Sequence, residues 1–433
     1  MKIHYKEKLK EKIFRIGTFG CYLYGVSFIL KRNILNIGVG LMILASLFFI
    51  KKIDLKKLDK IQKLFLVLIF LTPIWDLFSK GGVESALISV QKSYRFLPLF
   101  LVPIFLNTTD KVKKFFYCIN FSAFMSCICI LNIYRERNWN FNLGFEYIKK
   151  GFNISHSLVL ISYLVLASFF LAYKQKDKIM LSISSFVYVL TVGMIFISQR
   201  RGAWLAFVFS IGLFILIKMN KKILFILIML GSIVLGTGYI NEEKLKENRY
   251  YKRFESIRDT KNSSPRIRLM LWQASYDIFK ENWIFGVGKD NSPKYYLEYF
   301  EKNKEYVEKH LKTDSAKKSL VVISKAGNPH SMYFDNLINM GLFFFYWLGL
   351  MLYIFFEQLK TSVVLKKNKD TKKISEISLC CLCITGSYLI IGGFESAWGS
   401  FFERHLFLTG LILYIIIDKN NKGIENQEKM SKE

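Results

Sequence analysis

The feature that most constrains this chain is a series of apolar runs, each close to twenty residues, recurring from end to end. A run of roughly 18 or more apolar residues with few charges is long enough to cross the hydrocarbon core as a helix. In lipid every backbone amide needs an internal partner, so only helices and closed barrels can cross. Spanning strands would show sustained alternation, and none is present. The chain therefore reads as an all-α integral membrane protein with about 12 transmembrane helices. The expected spans are roughly 13–30, 34–50, 61–78, 93–106, 115–133, 155–173, 179–198, 203–217, 223–240, 332–357, 377–395 and 404–417. No internal repeat of fixed period and no low-complexity linker interrupts them.

The charge pattern sets the orientation. A net charge of +29 could serve nucleic acid, but the lysines cluster in short segments between apolar runs. That is the positive-inside pattern of an inner-membrane protein, with lipid and not nucleic acid as its surroundings. The connections Lys51–Lys60, Asp110–Lys114, Lys174–Lys178, Lys218–Lys222 and Lys360–Lys373 are rich in lysine and hold no arginine. With these inside, both termini are cytoplasmic. The basic N-terminus lacks a small-residue cleavage site and reads as the start of an uncleaved first helix. All seven cysteines fall in apolar runs. Neither Cys127-Ile-Cys129 nor Cys380-Cys381-Leu-Cys383 has His or carboxylate partners in a polar setting, so they read as small buried hydrophobes rather than metal ligands or disulfides.

One long polar segment breaks the pattern, and the chain divides around it. Residues 1–240 carry spans one to nine, 241–331 form an outward, periplasmic loop, 332–417 carry spans ten to twelve, and 418–433 are a cytoplasmic tail. Ser263-Ser264-Pro265 reads as a helix start, with Ser264 as N-cap. Ile267, Leu271, Ala274 and Ile278 then make an apolar stripe ending near Asn282-Trp283. Arg268 lies four residues before Trp272, where guanidinium and indole can stack. Gly286-Val-Gly288 reads as a turn, since a lone GxG is weak evidence of phosphate binding. Residues 293–312 read as one amphipathic helix, its tyrosines at headgroup level rather than on sugars.

Two basic elements flank this loop. Gln199-Arg200-Arg201-Gly202 joins spans seven and eight on the outer side. Paired arginines between closely spaced apolar helices are costly unless paired or functional, although long cationic side chains also snorkel. At the other end Asn328-Pro329-His330 reads as the cap and first turn of span ten. A helix N-terminus disfavours imidazolium and leaves His330 a neutral base.

Three of these elements together resemble the O-antigen ligase and O-antigen polymerase superfamily. Ser198-Gln-Arg-Arg-Gly-Ala-Trp-Leu-Ala206 is similar to its arginine-glycine-alanine-tryptophan signature. Arg268-Leu-Met-Leu-Trp272 with Ile284-Phe-Gly-Val-Gly288 resembles its loop helix and glycine turn, and His330-Ser-Met-Tyr-Phe334 its histidine-x-x-tyrosine element. Gly151-Phe-Asn-Ile-Ser-His156 is similar to a weaker element. The family's histidine-asparagine pair is here His330-Ser331, a departure. Arg201 is preferred to Arg200 because it immediately precedes the glycine. The resemblance implies an inverting, metal-independent glycosyltransferase without cofactor. Its donor would be an undecaprenyl-diphosphate-linked glycan and its acceptor lipid A–core.

The residue types suit that chemistry. Guanidinium forks neutralise diphosphate bidentately, which assigns Arg201 and Arg268 as clamps with Arg200 beside them. A neutral imidazole accepts the proton of an attacking hydroxyl, which assigns His330 as the catalytic base. Trp272, Tyr333, His156, Glu395, Arg95 and Lys92 are candidates for the surrounding shell, the last three equally readable as interfacial anchors at span ends. An O-antigen polymerase would use the same residues. A lipid-linked sugar flippase would instead place its charges near mid-membrane and often show repeats.

Overall fold

The computed structural model describes residues 2–28, 32–49, 58–136, 138–139, 154–198, 200–218, 263–367 and 372–430. The expected ninth span and the first part of the long loop lie outside these residues, as do Gln199 and Gly151-Phe-Asn153. Among the described residues all regular structure is helical. Six helices among these residues are long and apolar enough to cross a membrane: α6 (Thr109–Arg135), α7 (Ile154–Gln175), α8 (Lys178–Ile197), α9 (Arg201–Lys218), α15 (Phe343–Lys367) and α16 (Lys372–Gly392). The protein is thus a multi-pass helical membrane protein.

Packing separates two kinds of span. In α7 and α16, 83% of the apolar window is buried, and these two pack on each other at the centre. In α9 only 22% is buried, the mark of a helix whose outer face is solvated by lipid rather than protein. The bundle is completed by α1 (Lys2–Val26), α2 (Arg32–Leu47) and α3 (Lys60–Leu77). α1 and α2 meet through small residues, and a Cβ on Gly20 would lie 2.7 Å from the Gly38 carbonyl.

Two expected spans are broken. Residues 93–106 do not form one crossing helix: α4 (Gly82–Ser93), a 3₁₀ turn (Tyr94–Phe96) and the eight-residue α5 (Pro98–Phe105) replace it. Pro98 and Pro103 remove two amide donors from so short a run. Residues 332–357 likewise split into α14 (Met332–Met340) and α15, separated by Gly341 at φ 56°. The last apolar run belongs to α17 (Phe401–Met430).

The polar segment folds into a helical lobe with a core of its own. It begins with α10 (Ser263–Glu281), one residue earlier than the expected cap at Ser264. Ile267, Leu271, Ala274 and Ile278 are all buried, as their spacing requires. The expected helix at 293–312 is two, α11 (Ser292–Lys302) and α12 (Lys304–His310), broken at Asn303. α13 (Asp314–Lys325) follows, capped by the Thr313 hydroxyl accepting from Ala316 N–H. Tyr296 is fully buried in the lobe with its hydroxyl 2.6 Å from that of Ser275, so it is a core residue and not a headgroup anchor.

The Gly286-Val-Gly288 turn fastens the lobe to the bundle. Val287 N–H donates to Ile338 O at 2.8 Å and Leu342 N–H to Ile284 O at 2.9 Å. A Cβ on Gly286, at φ 75°, would meet the Asn339 carbonyl oxygen at 2.6 Å. The glycines are required by this backbone-on-backbone approach.

Candidate functional site

His330 sits where the lobe returns to the bundle, and its position differs from the sequence expectation. The helix begins at Met332 with Ser331 as N-cap, so His330 lies outside it, in the left-handed region at φ 52°. Asn328 is not the cap. Its side-chain oxygen accepts from His330 N–H and from Ser396 Oγ, each at 2.8 Å, and holds the turn against the loop after α16. The helix-terminus argument for a neutral His330 therefore falls away.

A carboxylate takes its place. Glu395 Oε2 lies 3.4 Å from His330 Nδ1, and Glu395 O accepts from Met332 N–H at 3.1 Å. Burial disfavours the charged form of Glu395. The His330 hydrogen bond and the fields of His156, His330 and Arg268 overcome this and hold its carboxyl down to about 2, against an ordinary 4.5. An ionised Glu395 accepts only, so Nδ1–H of His330 is the donor of this pair and Nε2 is the ring nitrogen outside it. The pair is a histidine oriented by a carboxylate, as in general-base sites.

Two guanidinium groups lie in the field of the same carboxylate. Burial lowers both Arg268 and Arg200 from the ordinary arginine value; Glu395 opposes this in each case, and Arg201 further lowers Arg268. Arg200, Arg201 and Arg268 thus share one electrostatic neighbourhood although the first two are far from the third in sequence. His156, buried at 2% exposure, belongs to it as well. Its ring lies against Gly202, where a Cβ would be 3.1 Å from His156 Nε2 and 3.4 Å from Phe394. The glycine after Arg201 makes room for a second histidine.

The other expected residues have supporting positions. Trp272 does not stack on Arg268. It stacks on Phe334, with ring centroids 5.4 Å apart, and its indole N–H donates to Pro329 O at 3.0 Å, bracing the turn that carries His330. Tyr333 donates to Leu389 O at 2.8 Å and ties α14 to α16. Lys92 pairs with Asp290, and Lys92 and Arg95 line a 420 Å³ cavity that Glu395 also lines. Sequence reasoning missed two cations of that cavity, Lys289 and Arg404. Arg404 stands in Glu403-Arg404-His405, a charged triplet inside an apolar run, a signal for a functional position. Lys289 directly follows the glycine turn and carried no pattern of its own. Among the described residues no three His, Cys, Asp or Glu side chains could together hold a metal ion.

The fold and this site define a multi-pass membrane protein whose polar chemistry gathers where a helical lobe meets the bundle. Residues 186–353 match the family model described as O-antigen ligase. The match takes in the arginine pair, the lobe helix, the glycine turn and His330. No curated protein matches the chain.

Proposed function

We propose that this protein is an O-antigen ligase of the bacterial inner membrane. It transfers a glycan from undecaprenyl diphosphate to a hydroxyl of lipid A–core on the periplasmic face. Its loop 241–331 is periplasmic, flanked by spans from 1–240 and 332–417, and the tail 418–433 is cytoplasmic. The observation that carries this reading is the convergence of His330, Glu395, Arg200, Arg201 and Arg268 from separate parts of the chain.

In the reaction the acceptor hydroxyl oxygen attacks the anomeric carbon. The carbon–oxygen bond to the diphosphate breaks on the opposite side, so the configuration inverts. His330 Nε2 takes the hydroxyl proton, and Glu395 stabilises the imidazolium that forms. The leaving diphosphate gains charge, which Arg201 and Arg268, with Arg200 beside them, neutralise without a metal ion. Stabilisation of developing charge by preorganised donors is usually the largest single catalytic term.

An O-antigen polymerase would use the same donor chemistry and differ only in the attacking hydroxyl. The single long outward loop favours the ligase. The test is lipopolysaccharide from a deletion strain, examined beside its lipid-linked glycan pool. A ligase defect leaves bare core on the cell and polymer on the carrier. Core bearing one repeat unit, with no polymer on the carrier, would overturn the ligase assignment in favour of the polymerase.

A further inference from the structure

The 420 Å³ cavity beside Glu395 holds cations that the transfer chemistry does not use. Lys92, Arg95, Lys289 and Arg404 line it, whereas Arg200, Arg201 and Arg268 do not. The carboxylates along its wall are engaged elsewhere. Asp290 pairs with Lys92, Asp335 accepts from Asn339 at 2.8 Å, Glu403 accepts from Ser157 at 2.9 Å, and Glu395 holds His330.

Arg404 and Arg95 are left over. Arg404 is 5% exposed; its Nη1 donates to Trp398 O at 2.8 Å, while Nε and Nη2 are buried without a partner. Arg95 Nε is buried and unpartnered too, while the rest of its guanidinium reaches the side chain of Tyr94 and the ring face of Phe401, 5.9 Å away. Neither has a carboxylate within ion-pair distance among the described residues. A buried guanidinium with empty donors is costly to keep, and an anion entering the cavity relieves that cost.

We propose that this cavity binds an anionic group, phosphate or carboxylate, on the acceptor glycan, with Arg404 and Arg95 as its donors. This rests on the glycosyl-transfer reading for the identity of the substrate. The arginines assigned to the donor's diphosphate do not line this cavity. A second anion site in the cavity that Glu395 lines positions the other substrate, so that its hydroxyl approaches His330 from there.

The test reads binding without donor, so that the subsite and the transfer reaction fail separately. De-acylated lipid A–core is titrated into purified wild type and the Arg95→Gln and Arg404→Gln variants. It is used native, dephosphorylated and carboxyl-reduced. Undecaprenyl-diphosphate-linked glycan is titrated in parallel. A charge-assisted hydrogen bond sets the expected loss at about 10–100-fold. Wild type should bind native acceptor that much more tightly than one of the stripped forms, and which form loses affinity tells phosphate from carboxylate. Each substitution should abolish the preference and leave donor affinity unchanged. Arg95 is only partly buried, so its variant carries the test if the Arg404 variant misfolds. Equal binding of native and stripped acceptor by wild type, or a preference that survives in Arg95→Gln, would overturn the proposal. So would a loss confined to donor binding, which would place the anion on the donor.

Discussion

Replacing Glu395 with glutamine keeps the shape of the His330 pair and removes its charge. The carboxyl is held at about 2 rather than 4.5, so its surroundings favour the ionised form by about 3 kcal/mol, at 1.36 kcal/mol per unit. Glu395 is 14% exposed at the side chain, so little of this is lost to solvent screening. The His330 hydrogen bond is the largest of the favourable contributions. If all of it served the transition state, Glu395→Gln would slow transfer by about 10²-fold. His330→Ala should cost about 10²–10⁴-fold. If the carboxylate serves proton transfer through the imidazole, the double variant should be no slower than His330→Ala alone. The assay is single-turnover transfer by purified protein with saturating donor. Losses that multiply in the double variant would refute the claim that the two side chains act as a unit.

The same carboxylate predicts a pH window. Its folded value is depressed, so its contribution to stability is full above about 4.5, the unfolded value, and is lost as pH falls through about 2. Chemical unfolding of wild type and Glu395→Gln should differ by a constant amount above about pH 5 and converge towards pH 2; a difference that grows in acid would contradict this. Arg201→Lys and Arg268→Lys should recover little of the transfer lost in the alanine variants, because ammonium is a point charge that cannot make the two-pronged phosphate contact; full activity in both would show that the fork is dispensable. Gly286→Ala adds a Cβ 2.6 Å from a backbone oxygen at φ 75°, and should destabilise the lobe's attachment by about 2 kcal/mol or more, read as a lower unfolding midpoint in detergent. In a cysteine-less background, an impermeant thiol reagent added to outer-membrane-permeabilised cells should label a cysteine at Lys312 and not one at Lys176; the reverse pattern would invert the topology.

Much of this organisation is legible in the sequence because it rests on local periodicity. The buried stripe of α10 follows from its spacing, and the glycine turn from residues that tolerate positive φ. The breaks within the fourth and tenth expected spans escaped because hydropathy is blind to backbone conformation. Pro98, Pro103 and Gly341 interrupt runs whose apolar content is continuous. Arg201, Arg268 and His330 stood out by residue type against their surroundings. Glu395 was readable only as a candidate for the surrounding shell, because it is a lone acid at a span end, distant in sequence from all three. The setting of His330 was misjudged for a related reason. Asn-Pro resembles a cap, yet Asn328 spends its side chain on the turn and on Ser396, and the helix starts later.

The most direct measurement of the central claim is transfer by the purified protein. Protein in detergent or liposomes is given undecaprenyl-diphosphate-linked glycan and lipid A–core, with chelator present. Glycan-bearing lipid A–core should accumulate with wild type, and be almost absent with His330→Ala under conditions where that variant stays folded. Transfer by His330→Ala at a rate near that of wild type would contradict the account.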